Sequence, residues 1–253
     1  WSDPVDLNFS SIDPGHVTDE KGNRYLYFSS GGYVPLSDDG LSISGEYVQV
    51  YSGWPIPRDW TIELFALEGP KLTKRGEYYY LTVAEGGTAG PATSHMIISA
   101  RSGSPLGPWE NSPYNPIVHT ENRSERWWCQ GHGTLVEDIA GQWWMVYHAY
   151  EKHFQTLGRQ TLMLPIEWTG DHWFRVPEGV QSSDKLHLPA GEKMKSHASL
   201  SDDFSSPQLG MQWQFFKKYD PERYSLKNGQ LILQAEGNSF DNSGPLLVNA
   251  ADR

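Results

Sequence analysis

The chain has 253 residues, of which 13% are aromatic, including 11 tryptophans, and 20% are charged, with a net charge of −11. Without a basic cluster, that charge excludes the phosphate-binding face that nucleic acid needs, and no apolar run approaches the roughly 20 residues that span a bilayer. A neutral or cationic small ligand fits better, and the aromatic rings suit both β-strand packing and stacking on the C–H faces of sugars.

Taken in chain order, the first informative stretch is Asp13, then Gly22 nine positions later, then Tyr25-Leu26-Tyr27-Phe28. The same layout returns with Glu68, Gly76 eight positions later and Tyr78-Tyr79-Tyr80-Leu81. It returns again with His132, Gly141 nine positions later and Trp143-Trp144-Met145-Val146-Tyr147. Each reads as a hairpin with a turn glycine, and one polar position changes identity from copy to copy. Strands are predicted at 24–28, 47–51, 78–83, 95–100, 142–148 and 160–168, where β-branched and aromatic runs alternate with turn residues. No window carries a sustained helical apolar stripe.

The turn glycines recur at spacings of 54 and 65 residues, the size of a propeller blade of about four strands. Radial repetition gathers the innermost strands around an axis, so Asp13, Glu68 and His132 are expected to face one shared centre. The run Ser99-Ala100-Arg101 to Gly107-Pro108-Trp109 ends one blade, and Trp1-Ser2-Asp3-Pro4-Val5 resembles its tail. Residue 1 therefore reads as a blade connection, with a further blade expected upstream.

Beyond Val176 the pattern changes. Residues 177–199 are polar, lack aromatics and read as a linker. From residue 200 a new strand series begins, with strands predicted at 212–216 and 230–235 and a strong turn at Asn228-Gly229. The expected organisation is thus a partial β-propeller over 1–176, a linker over 177–199 and the start of a jelly-roll-like β-sandwich over 200–253. One cysteine, Cys129, allows no intrachain disulfide and leaves the compartment undetermined, compatible with secretion or the periplasm.

Asp13 and Glu68 supply two carboxylates in matched positions, as glycoside hydrolysis requires: one group protonates the leaving oxygen while another activates water or attacks the anomeric carbon. A glutamate beside Gly-Pro and aromatics is placed for desolvation, which favours the protonated form that a general acid needs.

Ser11-Ile12-Asp13-Pro14, Leu67-Glu68-Gly69-Pro70-Lys71-Leu72, Gly131-His132-Gly133 and Leu157-Gly158-Arg159-Gln160-Thr161-Leu162 together resemble motifs of glycoside hydrolase family 43. The resemblance spans about residues 1–176 and keeps the order of the motifs. It implies an all-β, five-bladed β-propeller whose first part precedes this chain, followed by a truncated β-sandwich. It implies β-xylosidase or α-L-arabinofuranosidase activity on terminal pentoses, by inversion, with an oligosaccharide or polysaccharide as partner and neither nucleic acid nor membrane. By the same resemblance Glu68 is the general acid, and Asp13 is the aspartate that tunes the acid and orients it. Arg159 contacts substrate hydroxyls. His132 lies near the axis, where a structural calcium ion sits in some members, and no cofactor is required for the chemistry. Glu85-Gly86-Gly87-Thr88 also resembles a segment near the active centre. The family's base aspartate is expected upstream of Asp13; Asp3-Pro4 has the dipeptide but not the following turn and strand, and is not assigned. Two other readings stay open: a non-catalytic carbohydrate-binding propeller or inactive fragment, and a fructan-acting relative of similar architecture.

Overall fold

The aromatic runs alternate their side chains between two faces, and this period of two builds the fold. In the computed structural model the chain divides into two units, Trp1–Gly191 and Glu192–Arg253. The structure describes residues 3–192, 201–216, 220–239, 242, 244 and 246–249.

The first unit is three antiparallel sheets. One orders β1 (Gly15–Thr18), β2 (Arg24–Phe28), β3 (Gly32–Leu36) and β4 (Val48–Gln49). The second orders β5 (Leu67–Arg75), β6 (Tyr78–Glu85), β7 (Met96–Ser102) and β8 (Glu110–Asn111), with β9 (Val118–His119) also paired to β7. The third orders β10 (Trp127–Glu137), β11 (Trp143–Glu151), β12 (Arg159–Trp168) and β13 (Phe174–Arg175). Strands follow chain order within each sheet, as in propeller blades. The first strand of each blade is innermost: β1 packs beside β5, and β5 beside β10. The all-β propeller expected from the repeat is what the chain forms, and three blades stand among the described residues.

The middle blade is buried on both faces, which explains its unbroken aromatic and aliphatic runs. Tyr79, Leu81 and Val83 of β6 pack with Tyr27 and Tyr33 of the first blade. Tyr80, on the opposite face, packs with Leu135, Met145 and Phe174 of the third. In β7 the same alternation sends Met96 and Ile98 one way and Ile97 the other. Each fully buried side chain contributes roughly 1.5–3 kcal/mol, more than the few tenths of a turn residue, so packing between blades dominates the stability of this unit.

Five of the six predicted strand segments coincide with described strands to within a few residues; 47–51 shrinks to the two residues of β4. The inner strand β10 has no such signal, because Gly131 and Gly133 interrupt its apolar pattern where the strand bulges. Residues 177–191 lie with the first unit: Val180 and Leu186 pack against the core between the second and third blades, and Ala190 donates its N–H to the Asp138 carboxylate at 3.0 Å.

In the second unit β14 (Trp213–Phe216) pairs with β17 (Leu246–Asn249), and β15 (Tyr224–Lys227) pairs with β16 (Gln230–Leu233). Two antiparallel pairs are in keeping with the opening of a sandwich. Asn228-Gly229 joins β15 to β16, not 212–216 to 230–235 as the sequence alone implied, with both residues at positive φ as a two-residue hairpin turn demands. The expected likeness of Trp1-Ser2 to a blade connection and the expected new series from Leu200 fall in part on residues outside those described.

Candidate active site

The three repeat positions meet. Asp13 lies two residues before β1, Glu68 is the second residue of β5 and His132 lies in the middle of β10. One side-chain donor atom from each lies within 4.8 Å of the other two. Three inner strands from three blades therefore deliver two carboxylates and an imidazole to one point.

The local backbone explains how. Asp13, Gly69 and His132 all take φ of 56–57°, and in β5 and β10 the regular pairing slips beside Glu68-Gly69 and His132. A bulge re-aims side chains that a regular strand would send to its two faces. The Asp13 carboxylate accepts from the Ser29 hydroxyl at 2.9 Å and from the Gly69 N–H at 3.1 Å. At Gly69 the packing is close: a Cβ would lie 2.4 Å from the His132 Nε2, at a φ that L residues rarely adopt.

Two further histidines, which the sequence reading passed over, complete the centre. His95 directly precedes β7, and His148 lies on β11 opposite Gly131. Ring nitrogens of His95, His132 and His148 lie within 4.8 Å of one another. The His95 and His148 rings stack at 5.3 Å, and His132 lies 5.7 Å from His148. His95 is fully buried, and neither of its ring nitrogens has a hydrogen-bond partner among the described residues. Burial first, then the neighbouring His148, His132 and Arg159, hold its pKa far below the usual histidine range. Burial followed by Arg159 and His132 does the same to His148. Both meet at Gly131: His148 lies opposite it on β11, and its missing side chain leaves room for the ring of His95 from the middle blade.

Arg159 opens β12 and is exposed; its Nη1 donates to the His148 Nε2 at 3.4 Å. All four of the expected site residues, Asp13, Glu68, His132 and Arg159, therefore converge on one end of the inner strands. Glu85 takes a different path. It sits at the end of β6, opposite Leu67, and is fully buried. Its Oε1 accepts from the Trp54 N–H at 2.6 Å, and burial pushes its pKa up to about 8.

The donor sets discriminate between ions. Calcium takes oxygen ligands, so in the Asp13, Glu68 and His132 group the Asp13 carboxylate is the side that suits it. The His95, His132 and His148 group offers three imidazoles, a set suited to transition ions instead.

Residues 1–174 match the family described as Glycosyl hydrolases family 43. The chain is 35% identical over 191 residues to the non-reducing end alpha-L-arabinofuranosidase BoGH43B of Bacteroides ovatus, covering 72% of this chain and 35% of that protein. It is 30% identical over 235 residues to a xylan 1,3-beta-xylosidase of a Vibrio species, covering 83% of this chain and 43% of the other. Among solved structures it is similar to a mutant of the GH43 protein BlXynB from Bacillus licheniformis, with a TM-score of 0.80 and 37% identity, over 91% of this chain and 44% of that one. The chain thus spans less than half the length of each of these relatives.

Proposed function

Given that the chain belongs to glycosyl hydrolase family 43, we propose that the protein containing it is an exo-acting glycosidase that removes terminal xylose or arabinofuranose from plant oligosaccharides or polysaccharides with inversion. The observation that carries this reading is the convergence of Asp13, Glu68 and His132 from three blades onto one centre. The xylosidase and arabinofuranosidase names of the relatives support the pentose.

In this mechanism Glu68 donates its proton to the glycosidic oxygen as the bond to the anomeric carbon breaks. Asp13 fixes the strand bulge that presents Glu68, through its bond to the Gly69 N–H. Arg159 binds hydroxyls of the terminal sugar, and its bond to His148 sets the direction of its side chain. Asp13 holds Ser29 and Gly69 through a single oxygen, its Oδ2; in this reading it orients the acid, and the base that activates water is a further carboxylate. A calcium ion would be held on the Asp13 side of His132, since Glu68 must keep its proton to act as the acid, and it would supply fixed positive charge there; the chemistry above does not depend on it.

The test is Glu68→Gln in the complete protein, assayed on aryl pentosides of varied leaving-group pKa. General acid catalysis is worth about 10²–10⁴-fold, and substrates with poor leaving groups need it most. The variant should lose that factor on the poorest leaving group and far less on the best. Unchanged turnover on a poor leaving group would remove Glu68 from the role.

A further inference from the structure

We propose that the cavity between the second and third blades, separate from the Asp13, Glu68 and His132 centre, is a second binding site for a neutral pentose. The inference goes beyond the proposed reaction and takes from it only the class of sugar.

The cavity has a volume of about 600 Å³, within the roughly 300–1,000 Å³ of small-molecule sites. None of Asp13, Glu68, His132 or Arg159 lines it. Its floor is apolar: Ile117 and Val118 come from the second blade, Leu164 from β12, and Val176 and Val180 from the segment after β13. Around that floor stand the neutral polar groups of Asn122, Gln130, Gln181, Ser182 and Ser183. Amides and hydroxyls above an aliphatic floor match the two sides of a sugar ring, its hydroxyls and its C–H face.

The charges at the rim are largely matched within the protein, which favours a neutral ligand over an ion. Arg126 is held by the buried Glu151 at 3.0 Å, and the Glu125 carboxylate accepts the Asn122 N–H at 2.9 Å.

His119 and Glu121 supply the feature that selects neighbouring hydroxyls. The His119 Nε2 lies 2.9 Å from the Thr93 carbonyl. A carbonyl only accepts, so in the neutral ring that nitrogen carries the proton and Nδ1 is left an acceptor. The His119 side chain is 5% exposed, and its Nδ1 has no hydrogen-bond partner among the described residues. The Glu121 carboxylate, a second acceptor, stands 3.7 Å away, beyond hydrogen-bond reach. Two adjacent acceptors fit two adjacent hydroxyls of a sugar, one donating to the imidazole and the other to the carboxylate. Glu121 is 74% exposed and can turn to admit them.

The walls are ordered in advance. Trp60 lies flat on the His119 ring at 4.3 Å. Gln130, 2% exposed, donates from its Nε2 to the His119 carbonyl at 3.3 Å and to the Thr120 hydroxyl at 3.2 Å, and its Oε1 accepts from the Tyr147 hydroxyl at 3.1 Å. These bonds fix the amide before a ligand arrives, which spares the entropy of ordering it on binding.

The experiment titrates D-xylose and L-arabinose calorimetrically into the complete protein and into its Ser182→Trp and Gln181→Ala variants, with turnover of an aryl pentoside measured alongside. Ser182→Trp fills the cavity with an indole. It should abolish one pentose site per chain, for at least one of the two sugars, and leave kcat/KM on the aryl pentoside within about twofold. Gln181 is exposed, so Gln181→Ala keeps the test valid if Ser182→Trp does not fold; it should weaken the same site about fivefold, as the loss of one neutral hydrogen bond does. Isotherms that are equal in the unmodified protein and its folded variants overturn the proposal, and so does the absence of any pentose binding. Turnover reads the glycosidase separately. Hydrolysis together with equal isotherms removes the second site alone, and no hydrolysis together with a site that Ser182→Trp abolishes removes the glycosidase reading alone.

Discussion

The Asp13 carboxylate reaches from the first blade to the second and accepts the backbone N–H of Gly69, the residue after Glu68, at 3.1 Å. The contact makes Asp13 a positioning group for Glu68, and it separates two effects that a single substitution would confound. Asp13→Asn keeps an oxygen acceptor but loses the charge that strengthens such a bond. Asp13→Ala removes both and leaves the N–H unpaired. A hydrogen bond to a charged group is worth about 1.5–3 kcal/mol, so kcat should fall roughly tenfold in the Asn variant and about a hundredfold in the Ala variant. Steady-state kinetics on an aryl pentoside checks this. Equal losses would show that charge alone, and not the bond to Gly69, carries the effect.

Gly69→Ala should act on the same bulge from the other side. A methyl group there meets the His132 ring, and the left-handed backbone adds roughly 1–2 kcal/mol of strain for an L residue. The expected loss of stability is about 2 kcal/mol or more in urea unfolding. If the clash with His132 is its main source, a second substitution, His132→Ala, should recover part of it, since residues in contact couple non-additively. Strictly additive losses in the double variant would place the cost in the backbone alone.

These two contacts show where the sequence was legible. The recurrence of a polar residue, a glycine and an aromatic run exposed the inner strands, because hairpin turns and paired strands impose spacing on the chain. It led to Asp13, Glu68 and His132, which the fold brings within 4.8 Å of one another. His95 and His148 were illegible because they reach the centre from the second or third strand of a blade, where position in the repeat carries no signal and only packing across Gly131 brings them in. Glu85 was noticed within Glu85-Gly86-Gly87-Thr88, yet its partner Trp54 lies 31 residues away in a segment without strand pattern. Nothing local could have paired them.

Burial raises the pKa of Glu85 to about 8, which makes a prediction of definite sign. Above the ordinary glutamate pKa near 4.5 the unfolded chain has released this proton, while the folded chain keeps it until about 8. The folded state then binds more protons, so its stability falls as pH rises through that window, by up to about 1.4 kcal/mol per pH unit. Glu85→Gln keeps an oxygen to accept from Trp54 and cannot titrate. Urea midpoints measured from pH 5 to 8 should show the unmodified protein losing ground to the variant as pH rises. Parallel curves would mean that Glu85 is ionised in the folded protein.

The histidine pair works in the opposite direction. Burial and the neighbouring cationic groups hold the pKa values of His95 and His148 below the usual value near 6.5. As pH falls below about 6.5 the unfolded chain takes up protons that the folded centre refuses, so stability present at neutral pH is lost on acidification. The geometry names the reason: a proton on the His148 Nε2 would face the guanidinium of Arg159, which donates to that same nitrogen at 3.4 Å. His148→Gln can still accept from Arg159 but takes up no proton. Whatever stability the substitution costs at pH 7, the gap between the two proteins should narrow as pH falls toward 4.5. A constant gap across that range in urea unfolding would show that His148 protonates as readily in the folded chain as in the unfolded one. Together with Glu85, whose contribution declines on the alkaline side, a depressed histidine pair confines the stability of this centre from both directions, as expected of groups buried for positioning rather than for stability.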